Sequence, residues 1–321
     1  MKLVTFEIET AHGPEPRLGA LAEGRIMDLN AADPTLPADI IAWLELGEPA
    51  REKTRQALLS TGTQRFSHPV NEVRLLAPVP RPGALRDFFA FEEHARQGAA
   101  RRKEVLAPQW YEQPVYYKGN HREIYGPNET VPWPSYTRKL DFELEIACIV
   151  GKKGRDLSPE QAGDYIAGYS ILNDFSARDI QKNEMICRMG PAKGKDFATG
   201  LGPYLLTCDE LRAADNLAMS VYVNGAQWSS GNSKDRYWSF PVMLSHVSQE
   251  ETVYPGDILG SGTYYKGCGL DLDRWIKPGD VIELEVEKLG RLRHVVGQPQ
   301  AQKRLVYSGK SSEAKGHGSH R

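Results

Sequence analysis

"LDFELEIACIV", residues 140–150, repeats with a period of two. Leu140, Phe142, Leu144 and Ile146 fall on one side of an extended chain, and Asp141, Glu143, Glu145 and Ala147 on the other. A helical period would mix the two sets, so the stretch predicts a strand. Short runs of the same kind follow it: YIAGYSILND (165–174), GPYLLTC (202–208), MSVYVNG (219–225) and DVIELEVEKLG (280–290). Gly/Pro turns such as YPGD (254–257) and KPGD (277–280) separate them. Strands this short and this frequent point to a β-rich α+β architecture with a few helices, a compact mixed roll or barrel rather than a doubly wound sheet.

Toward the N-terminus, MKLVTFEI reads as a strand and LGALAEGRIMDLNAA as a hairpin turning at Glu23-Gly24. ADIIAWLEL (38–46) and PAREKTRQALL (49–59) carry apolar residues at helical spacing. In LLAPVPRPGAL (75–85), Pro78, Pro80 and Pro82 end regular structure. The expected organisation is a small N-terminal α/β domain over 1–78, a catalytic domain over 79–305, and a polar, disordered tail over 306–321. His317 and His320 in that tail do not make a metal site.

Composition narrows the function classes. The chain has 321 residues, 40% of them hydrophobic and 26% charged, with a formal net charge of −2. That is an ordinary globular balance, and it gives no argument for nucleic acid. Arg101, Arg102 and Lys103 read as a solvated helix face. Cysteines 148, 187, 208 and 268 include no CxxC pair, so neither a zinc site nor a disulfide framework is expected. With no apolar leader at the N-terminus and no run of about 20 apolar residues, the expectation is a cytoplasmic protein without membrane contact.

The carboxylates carry the chemistry. Alternate residues on a strand lie about 6–7 Å apart, so Glu143 and Glu145 can converge on one hard cation. The plain alternative is a half-exposed strand with its acids in water. DVIELEVEKLG, with Glu283, Glu285 and Glu287 on one face, shows the same alternation. Context separates the two. About thirty residues after Glu145, YSILNDFSARDIQ places Asp174 at the end of an apolar strand, where an acid needs a partner or a metal. GPAKGKDFATGLGP (190–203) is not a phosphate loop, because its glycine spacing is one residue short and Asp196 stands where Ser or Thr would bind magnesium. Lys195 in that glycine-dense loop can still reach an anionic substrate.

Four segments together, LDFELEIACIVGKKGRDLS, YIAGYSILNDFSARDIQ, KGKDFATGLGPYLLT and YPGDILGSGTYYKGCGLDLDRWIKPGDVIELEVEKLG, resemble the fumarylacetoacetate hydrolase family over roughly residues 80–295. The resemblance implies a β-roll, a homodimer, and a divalent cation under a mobile lid. In DFFAFEEHARQG (87–98), the spacing of Asp87 and His94 is similar to the fumarylacetoacetase-type branch. Carried over, the metal ligands are Asp87, Glu143, Glu145 and Asp174, holding Mg2+, with Ca2+ or Mn2+ as alternatives. His94 becomes the base that activates water. The smaller acylpyruvase-like branch has His-x-x-Glu in the lid; here the last position is Gln97, so Asp271 in GCGLD, or Glu92 or Glu93, must orient the imidazole. Lys195 is the third catalytic residue, and Tyr117, Arg178, Gln181, Lys195 and Thr199 face the substrate. Phe89 replaces a tyrosine of that branch.

The implied reaction is hydrolysis of a C–C bond in a 1,3-diketo acid or acylpyruvate-like compound, with the enolate charge held by the cation. A 2-oxo acid decarboxylase, hydratase or isomerase on the same scaffold is the alternative.

Overall fold

The Glu23-Gly24 turn has both residues at positive φ (49° and 74°), the left-handed pair that joins two tightly twisted strands. It connects strand Gly13–Ala22 to Arg25–Asp28, and the first of these pairs along its whole length with Lys2–Thr10. The computed structural model describes residues 1–299 and 301. The proposed tail over 306–321, with His317 and His320, lies outside the described residues.

Lys2–Thr10 also pairs with Thr199–Thr207, which makes the hairpin part of one large sheet. Across that twelve-stranded sheet the order runs from Ser67–Pro69 and Arg25–Asp28 through Gly13–Ala22 and Lys2–Thr10 to Thr199–Thr207. It continues with Ile166–Asp174, Leu144–Val150, Ile258–Gly260, Leu85–Phe88 and Tyr116–Lys118. Arg74–Leu75 and Ile124–Tyr125 attach at its side. A five-stranded sheet follows the order Ala226–Asn232, Ala218–Val223, Val281–Val286, Gly290–Pro299, Thr130–Trp133. The class is α+β and β-rich, as the period-two runs predict. Residues 76–84, the proline-rich stretch, form no helix or strand. The backbone of the first 78 residues nevertheless shares sheet hydrogen bonds with the rest of the chain.

Strand Leu144–Val150 shows how the site is placed. Its alternation is real, yet every residue from Leu140 to Val150 is buried. Leu144, Ile146 and Cys148 pack in one core with Met219, Val221 and Leu284 of the smaller sheet and Leu244 of helix Phe240–Ser248. Ala147 and Ile149, on the opposite face, pack in a second core with Trp43 and Leu44 of helix Ile40–Leu46. Trp43 is fully buried there, and its indole N–H donates to Thr54 Oγ1 at 3.0 Å. Glu143 and Glu145 share the parity of Ala147 and Ile149. At this end of the strand, a cavity takes the place of the apolar cover.

The second E-x-E strand is different. Val281–Val286 alternates half-buried and buried, and the Glu285 side chain is 41% exposed and paired with Arg291 across the strand. Pattern alone does not distinguish the two strands. The elements that cover them do.

Candidate active site

Four neighbouring strands bring the acids together. Leu85–Phe88 runs parallel to Ile258–Gly260 with Gly260 opposite Asp87. Ile258–Gly260 pairs with Leu144–Val150, which pairs with Ile166–Asp174. Glycine at 260 is required by the convergence: a Cβ there would stand 2.2 Å from Asp87 Oδ1 and 3.0 Å from Glu145 Oε2. Ligand atoms of Asp87, Glu145 and Asp174 all lie within 4.8 Å of one another.

This trio is buried, and it is poorly balanced by the protein alone. Asp87 Oδ1 and Glu145 Oε1 have no hydrogen-bond partner. Burial, then the like charges of Asp87 and Asp174, pushes Glu145 well above the usual carboxylate range. Burial likewise raises Asp174 well above it and raises Asp87. Two orphaned carboxylate oxygens in a space that one methyl group would fill form a donor set for a hard divalent cation.

Glu143 is bound differently. Its carboxylate accepts from Arg178 Nη2 at 2.8 Å and from the Lys195 ammonium. Burial would raise it, but Arg178 and then Lys195 overcome that and hold it well below the ordinary range. Lys195 also pairs with Asp174, and the Tyr117 hydroxyl donates to Asp174 Oδ1 at 2.7 Å. Burial, followed by Asp174, places the Tyr117 phenol well above its usual value, so it remains a donor.

Arg178 is fully engaged along one edge. Its Nε donates to Asp141 Oδ2 at 2.8 Å, and its Nη1 to Gln181 Oε1 at 3.0 Å. Asp141, which the sequence reading did not single out, is an organiser. It also accepts from the backbone N–H of Gly269 at 2.8 Å and of Leu270 at 3.0 Å, opening the short helix Gly269–Leu272 that carries Asp271.

His94 sits in helix Glu92–Arg101 and is 8% exposed. Its Nδ1 lies 2.7 Å from Asp271 Oδ2, and Asp271 Oδ1 accepts from Arg101 Nη1 at 2.7 Å. The backbone N–H of Lys266 donates to the same Oδ2 at 3.0 Å. A carboxylate against Nδ1 assigns the proton to that nitrogen and leaves Nε2 as the base. Burial opposes the charge on Asp271, but the bond to His94 and its other donors keep the carboxyl below its ordinary value. Glu92 accepts from Tyr111 and Glu93 from Gln97, so neither is the acid at the imidazole. Phe89 meets the ring edge-on, with centroids 5.4 Å apart.

These groups line one cavity of about 260 Å³, with Asp87, His94, Tyr117, Glu143, Glu145, Asp174, Arg178, Gln181 and Lys195 in its wall. That is below the roughly 300–1,000 Å³ of pockets for drug-sized ligands, and it suits a small metabolite. Thr199 is buried outside that wall, its backbone N–H bonded to Glu123 O at 2.9 Å. Val115, Met185 and Thr263 are in the wall without having been singled out. No local motif marks Val115 or Met185, while Thr263 is the last residue of the GSGT stretch (260–263).

Comparison with known proteins agrees with this architecture. Residues 84–297 match the family described as fumarylacetoacetate (FAA) hydrolase C-terminal. The mitochondrial oxaloacetate tautomerase FAHD2A of Bos taurus is 32% identical over 293 residues, 90% of each chain, and that of Homo sapiens is equally similar. Among solved structures, a maleylpyruvate hydrolase from Sphingobium sp. SYK-6, in complex with manganese(II) and pyruvate, superposes with a TM-score of 0.73 at 25% identity. That match covers 94% of this chain and all of the other. A putative HpcE protein from Mycobacterium smegmatis gives a TM-score of 0.76 at 23% identity, again over 94% of this chain and all of the other. Among the described residues no helix is long and apolar enough to cross a membrane. With its family domain, its fold and its relatives in agreement, the chain belongs to the fumarylacetoacetate hydrolase family.

Proposed function

We propose that the protein catalyses proton transfer beside the keto group of a 2-oxo acid, interconverting its enol and keto forms. The observation that carries this reading is the His94–Asp271 pair, which leaves a basic Nε2 in the wall of a small cavity that also holds the acid cluster. The tautomerases at 32% identity support the same reaction class.

Asp87, Glu145 and Asp174 would hold a divalent cation, with Glu143 as a fourth carboxylate; Mg2+ and Mn2+ suit such oxygen donors, and Ca2+ is the larger alternative. When bound, the cation supplies Lewis acidity toward keto and carboxylate oxygens. The remaining work falls to the chain. Lys195 keeps Glu143 charged, pairs with Asp174 and leaves an ammonium hydrogen for the substrate, and Gln181, its carbonyl taken by Arg178, can offer its amide hydrogens. His94 Nε2 takes a proton from the carbon next to the keto group, and Asp271 stabilises the resulting imidazolium. The enol oxygen takes up a proton as the carbon loses one; the reverse reaction returns both. Phe88 and Phe89 help exclude water.

Hydrolysis of a C–C bond is the second reading, supported by the maleylpyruvate hydrolase likeness, since the same imidazole can activate water. The Asp87/His94 spacing, which resembles that of the fumarylacetoacetase-type branch, supports this second reading. A homodimer and a cytoplasmic location complete the proposal, the latter fitting four free cysteines. The test is to follow the metal-loaded protein with the enols of phenylpyruvate and oxaloacetate and with an acylpyruvate, measuring enol loss, deuterium uptake at carbon and acid release. Deuterium uptake without acid release is expected. Acid release from the acylpyruvate with no acceleration of enol loss would refute the proton-transfer reading.

A further inference from the structure

The charge inventory of the cavity restricts what the substrate can carry beyond its 2-oxo acid head. Among the described residues, the lysine and arginine in the wall are Lys195 and Arg178, and both are buried. Each already has two carboxylate partners: Arg178 has Asp141 and Glu143, and Lys195 has Glu143 and Asp174. The wall itself carries four carboxylates. With Asp141 counted beside those four acids and the two bases, a divalent cation would still leave the set one charge negative, so a single anionic head can be held by chelation at the cation. Nothing comparable waits for a second carboxylate.

The rest of the wall points the same way. Phe89, Val115, Met185 and Pro191 lie in it with no charged group of their own. Val115 and Met185 are large apolar side chains left 37% and 46% exposed. An apolar substituent would cover them; a carboxylate set against them would lose hydration without gaining a partner.

We infer that the substrate is a 2-oxo acid with a single carboxylate and an apolar tail, not a 2-oxo dicarboxylate. The inference rests on the 2-oxo acid reading above and names the tail that reading leaves open. It assigns Val115 and Met185 as specificity-determining residues, a role distinct from the proton transfer itself. The chain would in this respect differ from relatives named for oxaloacetate.

Calorimetric titration of the full, Mg2+-loaded chain with phenylpyruvate and with oxaloacetate decides it, with turnover of the two enols measured in parallel. Phenylpyruvate should bind at least about tenfold more tightly, the discrimination expected for a small difference in an apolar subsite. Met185→Arg and Val115→Arg place a cation on the exposed wall and should narrow or reverse that ratio. Oxaloacetate binding as tightly as phenylpyruvate, or a ratio unmoved by both arginine variants, overturns the substrate class. Failure of the proton-transfer reading is a separate result: an enol that binds with the expected preference yet is not turned over refutes the chemistry and upholds the apolar tail.

Discussion

Replacing Asp271 by asparagine tests the part of the site that does the chemistry. The carboxylate lies 2.7 Å from His94 Nδ1, the length of a charge-assisted hydrogen bond. Such bonds contribute about 1.5–3 kcal/mol. At 1.36 kcal/mol per tenfold, losing one from the transition state slows turnover about 10- to 150-fold. Geometry adds a second effect. Arg101 donates to one oxygen of Asp271 and the Lys266 N–H to the other, so an amide must point its NH2 at one of these donors. If it turns that NH2 toward Nδ1, the proton moves to Nε2 and the base is lost. His94→Ala should cost about 10²–10⁴-fold, the usual contribution of a general base. Because the two side chains act as one unit, the double variant should be no slower than His94→Ala alone. The assay is loss of a 2-oxo acid enol by the metal-loaded protein, with thermal melting and metal titration as controls for folding and ligand geometry. Full activity of Asp271→Asn, or a double variant slower by the product of the two single losses, would falsify the dyad.

Four further outcomes follow from the same structure. Glu145→Ala should abolish measurable Mg2+ binding by calorimetry, whereas Glu285→Ala, on an exposed strand face, should leave it unchanged; equal effects would remove the role of context. Lys195→Met should lower turnover by about 10²-fold or more while metal affinity holds or rises, since Glu143 and Asp174 lose their competing cation; loss of metal would show that the ammonium builds the cation site instead. Asp87, Glu145 and Asp174 have raised native values, so without metal the native state binds more protons than the unfolded chain above the ordinary carboxylate range. Stability of the metal-free protein should therefore fall as pH rises through that window, and the Tm gained on adding Mg2+ should be larger at pH 8 than at pH 5.5; a gain that shrinks with pH contradicts the assignment. His294 is buried with both ring nitrogens unpartnered, and burial pushes it down to about 4 from 6.5. The unfolded chain binds its proton first, so Tm should decline as pH drops from 6.5 toward 4, and His294→Leu should flatten that slope.

How much of this was legible in the sequence depends on the range of the interaction. The Glu23-Gly24 hairpin and the alternation in 140–150 are local and survive in the structure. That both faces of Leu144–Val150 are buried is not local: one cover comes from Trp43, about a hundred residues earlier, and the other from strands after residue 218. The branch motifs placed Asp87, His94, Glu145 and Asp174 in one wall, and the structure sets Asp271 rather than Glu92 or Glu93 against the imidazole. Asp141 went unnoticed because its role is defined by partners 37 and 128 residues away in Arg178 and Gly269. Glu143, grouped with the metal ligands by parity, is held by two cations that no strand period reveals. Thr199 was carried over from the motif and is not among the residues that line the cavity.

Gly260, opposite Asp87 across a parallel strand pair, has a consequence for the order of folding. Leu85–Phe88 and Ile258–Gly260 meet only after a loop of some 170 residues has closed, which is among the slower steps available to a chain of this size. Until that pairing forms, Asp87 and Glu145 have no reason to be neighbours, and the cation has no complete pocket. Metal uptake during refolding therefore reports the closing of the sheet rather than its nucleation. Once bound, the ion ties together strands that are remote in sequence, so it should act mainly on the rate of unfolding, as a clasp fastened last and released first.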